Sequence, residues 1–167
     1  MNMKPGGSDF KEVVVSIDRV IKVTKGGRNF RFRVLVVVGN EKEGKVGYGI
    51  GKSKETTEAI YKAVERAKKN AKKIHLINGT IAHQWEEKFG GAHVFIKPAS
   101  KGTGLIAGGA LRRVLEMAGV KDILSKSKGS SNPYNVVKAA INALLHIRKP
   151  INVSKVREVS LDKVFNG

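Results

Sequence analysis

Between Lys22 and Ser53 the side chains alternate so strictly that few folds can accept them. Phe30, Phe32, Val34, Val36 and Val38 occupy every second position, with Arg31 and Arg33 opposite at the start. After a turn at 39–44, Val46, Tyr48 and Ile50 alternate with Lys45, Gly47, Gly49 and Gly51. Side chains point to opposite faces along a strand, so this period of two predicts paired β-strands. Lys25-Gly26-Gly27-Arg28-Asn29 lies between alternating runs, and glycine takes φ > 0 without steric cost, so a hairpin turn is expected there, with both glycines at positive φ. The glycine row, flanked by Lys52 and Lys54, reads as bare backbone against which a phosphate chain could lie.

Charge narrows the partner. The 167 residues carry 32 Lys+Arg against 14 Asp+Glu, a formal net charge of +18. Both halves share it: 18 basic and 8 acidic residues up to Lys73, 14 and 6 from Ile74 onward. Such a field implies a polyanion, with nucleic acid first and an anionic membrane second. There is no cysteine, which excludes disulfides, thiolate zinc sites and cysteine nucleophiles. No apolar run approaches the ~18 residues of a membrane span, and Met1–Phe10 lacks the apolar segment of a secretory signal. A cytoplasmic protein is expected.

Residues 1–11 read as a flexible tail. Val13, Val15, Ile17, Ile21 and Val23 predict a first strand with one apolar face, interrupted by Arg19. Glu55–Lys73 predicts a helix with Ala59, Ile60, Ala63, Val64, Ala67 and Ala71 inward and Ser53 as N-cap. A new unit is expected from Ile74, with strands at 74–77, 80–84 and 92–97. A glycine-rich loop, 101–104, opens a helix to Ala118, and a strand follows at 120–124. Asn132-Pro133 caps a further helix that Pro150 ends. The domains are then 12–73 and 74–150, with a tail at 151–167 that holds a short helix from Leu161.

Catalytic patterns fall short. Val46–Ser53 nearly matches a phosphate-binding loop, but Val46 stands where its first glycine is required, and the preceding strand reads as antiparallel rather than part of a parallel βαβ unit. Gly102–Gly108 loosely mimics a dinucleotide fingerprint; close packing, with loop amides on a phosphate, explains it as well. His75, His83, His93 and His146 have no metal-site spacing, and Glu86 and Glu87 would face opposite ways on a strand. No catalytic residue, metal or cofactor is expected. The competing classes are a nucleotide hydrolase built on Gly51-Lys52-Ser53 and a free double-stranded-RNA-binding module.

Four stretches, Val23–Arg28, Gly47–Lys52, Pro98–Gly109 and Gly129–Val137, resemble the bacterial small-ribosomal-subunit protein five family, in order and at its spacings over residues 12 to 147. The resemblance implies an α+β chain. Its first domain is a double-stranded-RNA-binding-like β-β-β-α unit, and its second is an α/β unit with a left-handed βαβ crossover. It also implies a non-enzymatic constituent of the small subunit that binds small-subunit ribosomal RNA, touches small-subunit proteins four and eight, and sits where messenger RNA enters. It implies an influence on decoding accuracy, a first hairpin loop near the spectinomycin site, and Gly104 and Arg112 at the protein-four interface. Trp85, Glu86 and Glu87 inherit no role. No membrane or small-molecule partner is expected. Phosphate contacts are assigned to Lys22, Lys25, Arg28, Arg31, Arg33, Lys52 and Lys54, with Gly26, Gly27, Gly47, Gly49 and Gly51 permitting the approach.

Overall fold

The computed structural model describes residues 10–166. The chain forms two compact units. One runs to Lys73 and takes in Met117–Gly119; the other comprises 74–116 and the residues from Val120 onward.

In the first unit, β1 (Lys11–Thr24), β2 (Gly27–Asn40) and β3 (Lys45–Ser53) form an antiparallel meander, followed by α1 (Thr56–Lys69) and the two-residue β4 (Lys72–Lys73) on the edge of β3. The core joins Val34, Val36 and Val38 of β2 to Ala59, Ala63, Val64 and Ala67 of α1. The register shifts between Val14 and Ser16, a β-bulge at Val15. Val13 therefore pairs with Val37, whereas Ile17, Ile21 and Val23 share a face with Val34, Phe30 and Arg28. The single apolar face expected for β1 is broken at this point, because one extra residue reverses the alternation. Leu35 and Val37 are buried too, so the outer half of β2 is apolar on both faces.

Gly47, Gly49 and Gly51 do not form an open platform. They are buried opposite Val38, Val36 and Val34, on the face that α1 covers. A Cβ built on them would run into the carbonyl oxygens of Ala67, Ala63 and Ala59, respectively. Their bare backbone serves helix–sheet contact. α1 is shorter than expected at both ends. Its N-cap is Glu55, while Ser53 stays in β3 and its hydroxyl donates to Glu58.

The second unit has a sheet of order β5-β6-β8-β7: β5 (Trp85–Phe89), β6 (Ala92–Pro98), β7 (Leu105–Ile106) and β8 (Ile123–Gly129). β7 runs parallel to β8, with α2 (Gly109–Met117) between them; the other pairs are antiparallel. The strands expected at 74–77 and 80–84 reduce to one bridge, Ile77 to Thr80, around Asn78-Gly79. Ile74 and Ile81 are buried there without a ladder, so apolarity alone misplaced these strands. The helix expected after Gly104 starts only at Gly109, and the strand placed at 120–124 begins at Ile123. α3 (Pro133–His146) has the expected start: Asn132 Oδ1 accepts from Tyr134 N at 3.1 Å ahead of Pro133. Pro150 opens α4 (Pro150–Arg157), and α5 (Leu161–Asn166) follows.

α3 is held to β5 by a polar clasp. The Trp85 indole donates to Glu87 Oε2 at 3.0 Å, and His146 Nδ1 lies 2.7 Å from the same oxygen. The Trp85 ring meets His83 and His146 edge-on. Burial works against the Glu87 carboxylate, but the Trp85 and His146 hydrogen bonds and the charge of His146 outweigh it, so its pKa lies below the ordinary glutamate value.

Two outcomes are expected. Gly49→Ala forces α1 off the sheet and destabilises the chain by about 1–3 kcal/mol, whereas Gly26→Ala, whose Cβ meets open space, is nearly neutral; thermal unfolding compares them. The lowered Glu87 pKa gives stability that is present above the unfolded-state value and lost as pH falls through the folded one. The stability gap between wild type and Glu87→Gln is therefore open above the ordinary glutamate range and closes as pH falls through the lower folded-state value, read by urea unfolding at each pH.

Candidate nucleic-acid interface

β3 covers β2 only from Phe32 to Asn40. Gly27–Arg31 pairs with β1 alone, so the hairpin continues past the sheet as a two-stranded arm, roughly 17 Å beyond Phe32. Every residue from Ile21 to Arg31 is exposed. Thr24 pairs with Gly27, which leaves a two-residue tip, Lys25-Gly26. Only Gly27 of the two glycines sits at positive φ, +136°. Arg28 and Asn29, read as turn residues, belong to β2. Thr24 Oγ1 closes the tip by donating to the Gly27 carbonyl at 3.1 Å.

The arm has two unlike faces. Lys22, Asn29 and Arg31 lie on one, in line with Arg33 and with Lys52 of β3. Arg19, Ile21, Val23, Arg28 and Phe30 lie on the other, with the Arg19 guanidinium 4.0 Å from the Phe30 ring centre. In the sequence Arg19 and Phe30 are only strand-pattern residues; their diagonal contact across the two strands becomes visible once the register is set. From Arg19 to Asn40 the chain has no acidic residue.

Of the seven cations expected to meet phosphate, Arg33 is already engaged. It stands opposite Asp18 and donates to its carboxylate through Nε at 3.2 Å and Nη2 at 2.9 Å. Lys22, Lys25, Arg28, Arg31, Lys52 and Lys54 are exposed, and among the described residues none of them is ion-paired. At the root of the arm, Arg31, Lys52, Ser53, Lys54, Glu55, Glu58 and Lys62 line an open cleft of about 490 Å³. Glu58 ties Lys62 and Ser53 together, and these bonds lower its pKa. Three cations, Arg31, Lys52 and Lys54, are thus left facing the cleft. The arrangement provides an arm and cleft that together match a charged, ridged polyanion.

The nucleotide-binding alternatives lack their geometry. Gly51, Lys52 and Ser53 are strand residues paired antiparallel to β2, and the helix begins only at Thr56, so no loop amides cradle a phosphate there. In the second unit the amides of Gly102 and Gly104 both donate to Oδ1 of buried Asp122, at 2.9 and 2.8 Å. An internal carboxylate therefore occupies the nest proposed for an anion. Gly104, at φ +75°, has open space where a Cβ would point, and Arg112 is exposed beside Glu116, 2.9 Å away. Among the described residues no group of three His, Asp or Glu could hold a metal, and no helix is long and apolar enough to cross a membrane.

Comparison with known proteins matches both units. The family model for the ribosomal protein S5 N-terminal domain covers residues 10–75, and that for the ribosomal protein S5 C-terminal domain covers 87–157. The small ribosomal subunit protein uS5 of Flavobacterium psychrophilum is 58% identical over 165 residues, which is 99% of this chain and 94% of that relative. The uS5 proteins of Bacteroides thetaiotaomicron and Porphyromonas gingivalis are 56% and 54% identical, each over 95% of this chain and 92% of the relative. With two domain models matched in order and relatives so similar along nearly its whole length, the chain belongs to the ribosomal protein S5 family.

Proposed function

We propose that the chain is a structural constituent of the small ribosomal subunit that grips ribosomal RNA through the β1–β2 arm and the cleft at its root. Its family is structural and non-enzymatic, a component of the cytoplasmic ribosome. The observation that carries the RNA reading is the arm: a ribbon exposed on both faces, with unpaired cations and no acidic residue. Lys22, Lys25, Arg28, Arg31, Lys52 and Lys54 meet phosphates, and A-form shape supplies most of the selectivity. Gly26 and Gly27 keep the tip slim enough to enter RNA. Residues 12–73 and 74–150 act as two domains. Following the family resemblance, we assign Gly104 and Arg112 to an interface with small-subunit protein four, with protein eight and messenger RNA as further neighbours and decoding accuracy as the property this contact tunes. The open space at Gly104 and the exposure of Arg112 support that assignment. Cofractionation with small subunits distinguishes this reading from a free RNA-binding module.

Binding to small-subunit RNA is expected to weaken steeply with salt, with a log–log slope of several units, and Lys52→Ala reduces that slope by about 1. Titration across salt concentrations measures both, and a flat profile sinks the phosphate contacts. Gly27→Asp strains a φ of +136° and places a negative charge among Lys25 and Arg28, yet disturbs only the tip. It is expected to fold with a nearly unchanged melting temperature, assemble into subunits and raise spectinomycin tolerance. Gly27→Ala isolates the strain and Arg28→Ala the charge. If chemical probing shows the neighbouring RNA unchanged in all three, the tip does not touch RNA.

A further inference from the structure

The sheet of the second unit buries one face and leaves the other open. On the buried side, Ala92, Val94 and Ile96 of β6 are at most 1% exposed, and Trp85 and Glu87 reach His146 of α3. The strand pairings fix what stands on the open side. Lys88, His93 and Lys128 form one cross-strand row, Glu86, Phe95 and Lys126 the next, and Lys97 with Leu124 the third. All four lysines are exposed, and among the described residues none of them forms an ion pair. The one carboxylate on this face, Glu86, is engaged by His93 Nε2 at 3.0 Å. Phe95 stands half-exposed at the centre of the lysines.

We propose that this open sheet face is a second RNA site, separate from the arm, that takes an unpaired RNA segment. The charge pattern selects a polyanion. The aromatic ring selects single-stranded over duplex RNA: a ring standing on a flat sheet stacks on a splayed base but has no access to one stacked inside a helix. Lys126 and Lys128, two residues apart on β8, are ~7 Å apart along the strand, comparable to the step between neighbouring phosphates of an extended strand. Phe95 takes the base between them, and Lys88 and Lys97 extend the backbone track in both directions.

The inference rests on the reading that the chain works on RNA, and its test separates the two. Fluorescence anisotropy with the full chain compares a labelled oligouridine of about 12 nucleotides with a mixed-sequence RNA duplex of similar length. Lys126→Ala/Lys128→Ala is expected to weaken oligouridine binding roughly tenfold and reduce its salt slope by about 1.4, with duplex affinity changed by less than about twofold. Phe95→Leu is expected to weaken oligouridine binding by a similar factor with the slope unchanged, as loss of stacking requires. Arg28→Ala should do the reverse, weakening the duplex more than the oligouridine. If the lysine pair and Phe95→Leu leave oligouridine binding intact while the duplex still binds, the sheet site is overturned and the arm stands. If wild type binds neither RNA, the RNA reading itself is overturned.

Discussion

The closeness of α1 to β3 governs the first unit. Two residues of strand advance about 6.8 Å and four residues of helix about 6 Å, so a glycine at every second strand position can meet an alanine at every fourth helix position. Gly51, Gly49 and Gly47 meet Ala59, Ala63 and Ala67 in this way, in antiparallel order. With no side chain from either element between them, backbone lies on backbone, and dispersion contacts replace the wedge of large residues usual in such a layer. The large side chains are displaced onto β2, where Val34, Val36 and Val38 complete the core. Once β2 is fixed at that end, its other end leaves the sheet as the arm.

Where charge is neutralised is as informative as where it is not. Asp18 engages Arg33, Glu58 engages Lys62, Glu12 engages Lys68, and Asp122 occupies the loop amides of Gly102 and Gly104. Acidic residues are few, and these four sit where they fix the local geometry of a cation or a turn. Among the cations they leave unengaged are those of the arm, its cleft and the open sheet face of the second unit. An exposed ion pair contributes little to stability, so the role of such pairs here lies in deciding which cations stay available to a partner.

Much of this was legible in the sequence because the signals were local. The hairpin follows from alternation and Gly26-Gly27, the α1 stripe from its period, and the start of α3 from Asn132-Pro133. The glycine row was misread because a bare strand face suits a phosphate or a helix equally. The deciding signal, alanines at every fourth position of the next helix, was present but lay in another element. The second unit was harder. The segment 74–84 is apolar enough for strands but is buried without pairing, and a partner for the Gly102–Gly104 amides from Asp122 is set by tertiary contact across 18 to 20 residues. The seven proposed cations were all visible as charges; that Arg33 had a partner depended on strand register, which the sequence did not contain without the bulge.

The bulge at Val15 acts as a phase shift. Upstream of it, the even positions Glu12 and Val14 share the helix-covered face; downstream, the odd positions Ile17, Arg19 and Ile21 do. The register of the arm is set at its tip, where Thr24 pairs with Gly27, and the extra residue lets the odd-numbered face of the arm run on into the even-numbered face upstream. Removing Val15 would leave Val14 opposite Val36 and Ser16 opposite Leu35 as consecutive pairs, a regular ladder with every side chain on its present face, whereas removing a residue between Ser16 and Thr24 would turn the β1 side chains on one side of the gap to the opposite face. The length of β1 is therefore as strictly constrained as its composition. Among related chains, insertions and deletions should cluster at the tip and in the 39–44 turn and be absent between Ser16 and Thr24.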